Sequence, residues 1–480
     1  MTAEPTTSAR TTGTTGDSEL KRSITGRLLF FYVLGDVLGS GIYVLIGAVA
    51  AVVGGAFWIA FGVGVTVATI TGLAYAELVT KYPQAAGAAL YVNKAFKNRT
   101  LTFVVTICAL SAVFAAAGSL ATGFATYFDS VWSLPPALLV SVAFILVLAV
   151  VNYIGITESV VINMVMTVVE VVGLVIVLAI GVVFVARGDA DFGGLTEFST
   201  DGNVTWAIVA GVALAFFAMT GFENAANVAE ETVDPATTFP KALVGGMICA
   251  GIIYVLVAMT AELVVGAGTL AAASDAGEPS LLEVVKADVL PVSVTLFAII
   301  AMVAITNTTL VAVVTQSRIL YGMAREDVVP GVFATVHPTR RSPWVALILS
   351  AVVVVGLLVV GDVLGRLGLD IDLITTLANV TVLLLLVIYA LVILSAFKLR
   401  GDADTGSGST FRAPTPLLAV GLVGNAVLAV YVVVDDWTSL LWCGGLIGVG
   451  LVLFVAEKAF GSSTRPPGAP PSIADPTGGA

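Results

Sequence analysis

Charge is what this chain has least of. Only 11% of its 480 residues are Asp, Glu, Lys or Arg, while 58% are hydrophobic. A water-soluble domain usually carries about a quarter charged residues, so a soluble globular body is excluded. Histidine occurs once, as His337 in the segment HPTRRSP, and cysteine three times, as Cys108, Cys249 and Cys443. That supply cannot build a zinc cluster, a redox pair or a disulfide framework. The cysteines fall inside apolar runs far from one another and read as inert core residues. Polar stretches long enough to fold as a separate catalytic domain are missing, so no enzyme is expected. The repeated polar filter or charged rings of a channel are missing too. No apolar stretch precedes Leu28, so no cleavable signal is read ahead of the first apolar run. With a net charge of −11, no nucleic-acid partner is expected either.

What fills the chain instead is apolar sequence in long runs, with a mean hydropathy of +1.05. The runs carry no polar stripe at the helical repeat. A helix made from them is apolar all round and belongs in lipid or against other apolar helices. Cut into lengths of roughly twenty residues that span a bilayer, the chain yields twelve candidate spans. They are 28–53, 56–80, 100–128, 134–153, 158–186, 204–229, 239–267, 289–323, 344–361, 371–396, 414–434 and 438–460. A membrane β-barrel would need alternating segments of about ten residues, and runs such as Val168 to Val185 are continuous and too long. The fold class is therefore an all-α, multi-pass integral membrane protein, with lipid as its surroundings.

With the N-terminus placed in the cytoplasm, only Arg187, Lys286 and Arg366 of the 21 Lys and Arg lie outside, which leaves eighteen inside. This is the bias of the positive-inside rule, and an even number of spans puts both termini on the cytoplasmic side of the cell membrane. Acidic residues such as Asp189, Asp191, Glu197, Glu278, Asp362 and Asp435 gather in the outer loops. Such a surface suits a saline medium.

Two spans are interrupted. The first contains Gly-Asp-Val-Leu-Gly-Ser-Gly, Gly35 to Gly41, and the sixth Phe-Phe-Ala-Met-Thr-Gly-Phe-Glu, Phe216 to Glu223. Glycine costs a helix about 1 kcal/mol relative to alanine, and three in seven residues mark a place where it can open. Spans one and six are an odd number apart, so they run in opposite directions. Two broken helices in matching places of opposed halves are the mark of an inverted repeat meeting at mid-membrane. The expected division is a tail over 1–22, a first repeat over 23–200 (spans 1–5), an inverted second repeat over 201–400 (spans 6–10), two last spans over 401–460, and a tail over 461–480. Neither tail has an apolar face to bury.

An opened helix exposes backbone groups that must find partners. The amides of Ser40, Gly41 and Ile42 begin the outer half of span one and form a positive end that favours a carboxylate. The carbonyls of Val37, Leu38, Phe217, Ala218 and Thr220 form a negative end that favours an ammonium. A site with both ends recognises a zwitterion about the size of a free amino acid. Phe216, Phe217, Met219 and Phe222 are expected to wall it with apolar surface, which suits a neutral substrate.

These motifs resemble the amino acid–polyamine–organocation (APC) permease superfamily, from span one through span ten. The likeness is carried by GSGIY (Gly39 to Tyr43), YAELVTKYPQAAGAALYV (Tyr75 to Val92), FFAMTGFE (Phe216 to Glu223) and SRILYGMAREDVVP (Ser317 to Pro330), in that order. The resemblance implies a LeuT-like five-plus-five inverted repeat with two trailing helices, and secondary transport of amino acids driven by an ion gradient. It implies that Ser40 and Gly41 hold the substrate carboxylate, and the carbonyls of Phe217, Ala218 and Thr220 its amine. Two residues depart from the family pattern. Met219 stands where an aromatic side chain is common, and a flexible thioether should soften the pocket. Glu170 stands in span five where some proton-coupled members carry a lysine.

Acids inside a membrane cost on the order of 2.5–3.5 kcal/mol even on lenient scales and are functional candidates by default. Asp36, Glu170, Glu223 and Glu262 fall inside spans, Glu262 near an outer end within reach of water. Two coupling schemes stay open. In one, Glu170 or Asp36 carries a proton. In the other, carboxylate oxygen, span-one carbonyls and the hydroxyls of Thr308 or Thr309 hold sodium, a hard cation that prefers oxygen; the acidic outer loops favour this one. Glu223 is expected to gate or to cap freed amides. Glu77 and Lys81, four residues apart, read as a local helix pair. No cofactor beyond the coupling ion is expected, and nothing specifies an oligomeric state. A carrier of the same fold for a polyamine or an inorganic cation would use Asp36 and Glu223 as counter-charges, and a sensor would bind an amino acid without moving it.

Overall fold

A computed structural model describes residues 24–83, 87–154, 159–199, 203–325, 328–338, 340, 342–369, 371–401 and 410–460. The two tails read from the sequence, 1–22 and 461–480, lie outside the described residues. The first span consists of α1 (Gly26–Leu38) and α2 (Gly41–Val53), bent by 41° at their junction. Then come α3 (Trp58–Lys81), a short α4 (Gly87–Phe96), α5 (Arg99–Asp129), α6 (Ala137–Ile154) and α7 (Ser159–Arg187). The sixth span is α8 (Val204–Ala218) followed by a 3-10 helix, Phe222–Glu231. After α9 (Pro235–Val265) lie two short helices, α10 (Ala267–Asp275) and α11 (Ser280–Lys286). The remaining spans are α12 (Val294–Arg325), α13 (Trp344–Arg366), α14 (Leu373–Leu399), α15 (Thr415–Asp435) and α16 (Trp437–Phe460). Among the described residues eleven helices are long and apolar enough to cross a membrane, twelve spans with the bent pair counted as one.

Valine-rich runs that would favour strands in water are helical here, because only a helix satisfies its own backbone in lipid. The outward faces are apolar for the same reason. On α15, Val420, Val423, Val427, Val430 and Val434 form one exposed stripe. Its opposite face packs on α3: a side chain at Gly421 would collide with Ile70, and Asn425 Nδ2 donates to Thr71 Oγ1 at 3.1 Å.

The helices fall into two packed groups. The broken pair α1–α2 and α8 packs with α3 and α9; α5 and α6 pack with α12 and α13. Helices α7 and α14 touch members of both groups. This is the five-plus-five inverted-repeat arrangement, with α15 and α16 applied to one side. The broken spans are tied at one end of the bundle by backbone hydrogen bonds. Ile24 N–H donates to Glu231 O at 2.9 Å and Val233 N–H to Ile24 O at 2.9 Å, so the entry to α1 and the exit of the sixth span are joined.

At that same end, Glu77 is not the partner of Lys81. Its carboxylate accepts from Arg400 Nε at 2.8 Å and Nη2 at 2.7 Å, and from the Ala413 N–H at 2.9 Å. Lys81 Nζ instead donates to the Leu399 carbonyl. A planar guanidinium matches two carboxylate oxygens, which a neighbouring ammonium cannot do. The pair is nearly enclosed, with side chains 8% and 10% exposed, and it fastens the ends of α3 and α14 together. Arg400→Ala should therefore lower thermal stability in detergent by on the order of 3 kcal/mol, the cost of stranding a buried charge. The double variant Glu77→Ala, Arg400→Ala should lose less than the two single losses added together, because no charge is left unpaired.

Candidate functional site

The break in the first span lies between Leu38 and Gly41. Val44 N–H still reaches the Ser40 carbonyl at 3.1 Å, but the amides of Gly41 and Ile42 have no backbone partner among the described residues. They are the unsatisfied donors that every helix start presents. Ser40 caps α2 only through its backbone; its buried hydroxyl has no partner. The Ser40 N–H donates to Thr308 Oγ1 of α12 at 3.2 Å. A side chain at Gly39 would sit 2.5 Å from that oxygen.

The break in the sixth span follows Ala218. Met219 N–H and Thr220 N–H fold back onto the carbonyls of Phe216 and Phe217, and Thr220 Oγ1 also donates to Phe217 O at 2.8 Å. Gly221 then turns the chain at φ +113°, a conformation other residues rarely hold. Its freed N–H donates to Glu223 Oε2 at 2.9 Å, and Tyr389 OH donates to the same oxygen at 2.7 Å. Glu223 is thus a cap for an opened helix, held from α14.

The two breaks meet backbone to backbone. A Cβ at Gly41 would lie 2.4 Å from Ala218 Cα, and one at Gly221 would lie 2.7 Å from the Asp36 carbonyl oxygen. Tyr254 of α9 joins them: its hydroxyl lies 2.6 Å from the Val37 carbonyl and 3.3 Å from the Ala218 carbonyl. One hydroxyl hydrogen so serves two carbonyls, one from each broken helix.

Beside this junction is a cavity. It leaves about 70 Å³ to the centres of water-sized molecules, where about 10–15 Å³ on that measure holds one water. A few waters or one small solute fit. Its floor and sides come from the breaks, and its far wall from α5, α12 and α14 through Ala112, Val113, Ala116, Val311, Ala312 and Leu385. Ser40, Asn224, Thr220, Thr308, Thr315 and Thr381 add polar atoms, and two carboxylates, Asp36 and Glu223, reach the lining. Among the described residues no Lys, Arg or His lines it.

Of the residues expected from sequence, Val37, Ser40, Gly41, Phe217, Ala218 and Thr220 line this cavity. Leu38, Ile42, Phe216, Met219 and Phe222 do not; they are buried elsewhere. Phe216 and Phe222 pack on Tyr389, with ring centres 6.2 and 5.2 Å apart. Met219 faces Gly64 of α3. Of the four apolar residues expected to wall the site only Phe217 does so; the rest of the apolar wall is Val37, Ala218 and the alanines, valines and leucines of α5, α12 and α14.

The acids also separate. Asp36 and Thr308 line the cavity, whereas Glu170 and Thr309 do not. Thr309 Oγ1 donates to Ile305 O at 2.7 Å within its own helix. Glu170 is fully buried behind α1, with Asn307 as a neighbour and neither carboxylate oxygen in a well-formed hydrogen bond. Its backbone carbonyl accepts from Tyr43 OH at 2.9 Å. Beside it, Asn163 Nδ2 donates to Asn307 Oδ1 at 3.1 Å, and Thr167 Oγ1 donates to Asn163 O at 2.8 Å. Sequence reasoning missed Tyr254, Asn224 and Tyr389. A single tyrosine in an apolar span was the one available sign for the first and third.

A family model described as "Amino acid permease" matches residues 26–452. The chain is 27% identical over 359 residues to the branched-chain amino acid permease BcaP of Bacillus subtilis, covering 69% of this chain and 73% of the relative. It is 25% identical over 334 residues to the low-affinity putrescine importer PlaP of Escherichia coli, covering 69% and 71%. Among solved structures, an Eremococcus coleocola manganese transporter, in its H236A mutant form, is similar in fold, with a TM-score of 0.58 at 15% identity over 92% of this chain and 97% of that one.

The contact between the breaks can be tested by substitution. Gly41→Ala drives a methyl into Ala218 backbone and should lower stability in detergent by about 1–3 kcal/mol or more, as overpacking does. Gly64→Ala, whose new methyl would meet nothing closer than 4.0 Å, should change it little. Tyr254→Phe leaves two carbonyls without their donor and should cost about 1–3 kcal/mol.

Proposed function

The chain belongs to the amino acid permease family, and from that premise we infer that it is a secondary carrier of small neutral amino acids, working by alternating access. The observation that carries this reading is the junction of the two breaks. It places the unpartnered amides at the start of α2 beside a cavity walled by Ala112, Ala116 and Ala312. A helix start is a ready anion site, so it receives the substrate carboxylate, with the unpartnered Ser40 hydroxyl at the same helix start. The apolar wall of alanine, valine, leucine and Phe217 leaves room for a short apolar side chain and holds no charged group of its own. In this scheme both termini are cytoplasmic.

Coupling is assigned to the buried polar group behind α1. A carboxylate enclosed in a membrane without a partner is not stable as a bare charge. Glu170 therefore holds a proton or accepts a cation such as sodium, with Asn307 and Thr167 as neutral oxygen and amide neighbours. Asp36 and Thr308 line the cavity instead, and Thr309 bonds within its own helix.

A second reading is favoured by the cavity's carboxylates: a polyamine would find counter-charges in Asp36 and Glu223. Glu223 is already engaged by Gly221 and Tyr389, which leaves only one, so the amino acid reading is preferred.

The test is uptake into proteoliposomes of labelled amino acids and putrescine, with sodium and proton gradients imposed separately. Accumulation of alanine-sized neutral amino acids driven by one gradient is expected. Glu170→Gln should abolish that accumulation while exchange of internal for external substrate continues. Putrescine uptake alone would replace the reading with the polyamine one, and binding without flux would make the protein a sensor. Accumulation that survives in Glu170→Gln would remove Glu170 from coupling.

A further inference from the structure

The carbonyls that end the broken helices are the obvious partners for a substrate ammonium, yet most of them are already engaged. Val37 O and Ala218 O share the Tyr254 hydroxyl, and Phe217 O accepts from both Thr220 groups. Hydrogen-bonded carbonyls retain a lone pair, but each is a neutral and partly committed acceptor. A carboxyl group, which gains a charged partner when an ammonium arrives, lies in the same cavity. Asp36 lines it, and Asn224 Nδ2 donates to its Oδ2 at 3.0 Å. No described group donates to its Oδ1.

Three features hold this carboxylate where it is. Gly221, in its left-handed turn, leaves the space beside it: a Cβ there would lie 3.1 Å from Asp36 Cγ. The Asn224 amide fixes its rotation from the 3-10 helix of the sixth span. Gly35, the residue before it, is pressed against Thr167 on the other side of α1, with no room for a side chain, so this turn cannot rotate freely. The other cavity acid, Glu223, spends its Oε2 on Gly221 and Tyr389. Among the described residues no Lys, Arg or His lines the cavity, so the lining supplies no fixed cation to Asp36.

We propose that Asp36, oriented by Asn224, is the anchor for the substrate's ammonium group and so the residue that makes an amine obligatory. The amine bridges Asp36 Oδ1 to the free face of the break carbonyls, while the carboxylate end lies toward Ser40 and Gly41. This deepens the carrier reading above by naming the group recognised, and it rests on the same cavity. It also predicts that a compound with an ammonium and no carboxylate retains affinity.

The test uses three related probes with the purified full chain in detergent: L-alanine, ethylamine (alanine without its carboxylate) and propionate (alanine without its amine). Affinities are read from the concentration dependence of thermal stabilisation. The wild type should bind L-alanine about 10- to 100-fold more tightly than propionate, the range of one charge-assisted bond, and should bind ethylamine measurably. Asp36→Asn should lose ethylamine binding and bring L-alanine close to propionate, with propionate itself unchanged. Asp36→Glu should restore part of the difference, and Asn224→Ala should weaken L-alanine and ethylamine together by a smaller factor. If ethylamine binds and depends on Asp36 while no amino acid is transported, the anchor stands and the amino acid reading falls. If Asp36→Asn keeps the full preference for L-alanine over propionate, or if no amine stabilises the wild type, the anchor is overturned. A melting temperature within a few degrees of wild type in the ligand-free Asp36→Asn variant verifies that the comparison is made on folded protein.

Discussion

Every feature near the centre of this molecule answers one constraint: a backbone N–H or C=O opened inside a membrane must be given a partner. Leaving such a group bare in a low-dielectric setting costs several kcal/mol, so a broken helix survives only where the surrounding helices deliver donors and acceptors to it. The deliveries are specific. Thr308 comes from α12 to the Ser40 amide, Tyr254 from α9 to two carbonyls, and Glu223, steadied by Tyr389 of α14, to the Gly221 amide. What remains after these deliveries is the binding capacity. Among the described residues it consists of the amides at the start of α2, the Ser40 hydroxyl and one oxygen of Asp36, the groups to which the carrier reading assigns the substrate.

The same partners state which parts move together. The entry of α1 and the exit of the sixth span are one piece through the bridge at Ile24 and Thr232, and their breaks are one piece through Tyr254. Closure at that end is made between this piece and α14. Tyr389 contacts Glu223, Phe222 and Tyr75, and Arg400 grips Glu77. Alternating access then requires α14 and the broken pair to part, breaking polar and aromatic contacts of moderate strength rather than unpacking a core. The ten-residue 3-10 helix after Gly221 is long for that geometry, which is commonly confined to three or four residues and often marks a hinge.

The spans and both breaks were legible because their signals are local. Lipid demands runs of a set length, and three glycines within Gly35 to Gly41 mark both a weak point in the helix and a close packing surface. The pocket wall was not legible in the same way. Phe216, Met219 and Phe222 adjoin the sixth-span break in sequence, and continuing the α8 register would turn at least one of them inward. The chain instead leaves α-helical geometry after Ala218, so the direction of each following side chain depends on Gly221 and on Tyr389, which sits 167 residues after Phe222. The wall residues Ala112 and Ala116 carry no signal at all, since alanine in an apolar span looks the same whether it faces lipid, core or cavity. Glu77 shows the complementary error. Its neighbour four residues on was a sound local partner, but a guanidinium far along the chain offered two bonds where Lys81 offered one.

The separation of Asp36 from Glu170 has a consequence for coupling. Residues 35 and 36 face opposite sides of one turn of α1: Gly35 is seated on Thr167 beside the buried Glu170 group, and Asp36 is seated on Gly221 in the cavity. A ligand on Asp36 and a proton or cation on Glu170 would each act on the position of this turn without touching one another. Linkage then requires the effect to be mutual: whatever position of α1 the ion favours must raise the affinity for substrate by the factor by which substrate raises affinity for the ion. Were the two acids in one cavity, as the sequence alone allowed, the coupling would be direct charge pairing, and a cationic substrate would compete with the ion. Placed on opposite faces of α1, as the carrier reading has them, they would act on one another through the helix, and a net-neutral zwitterion and a cation could be carried together.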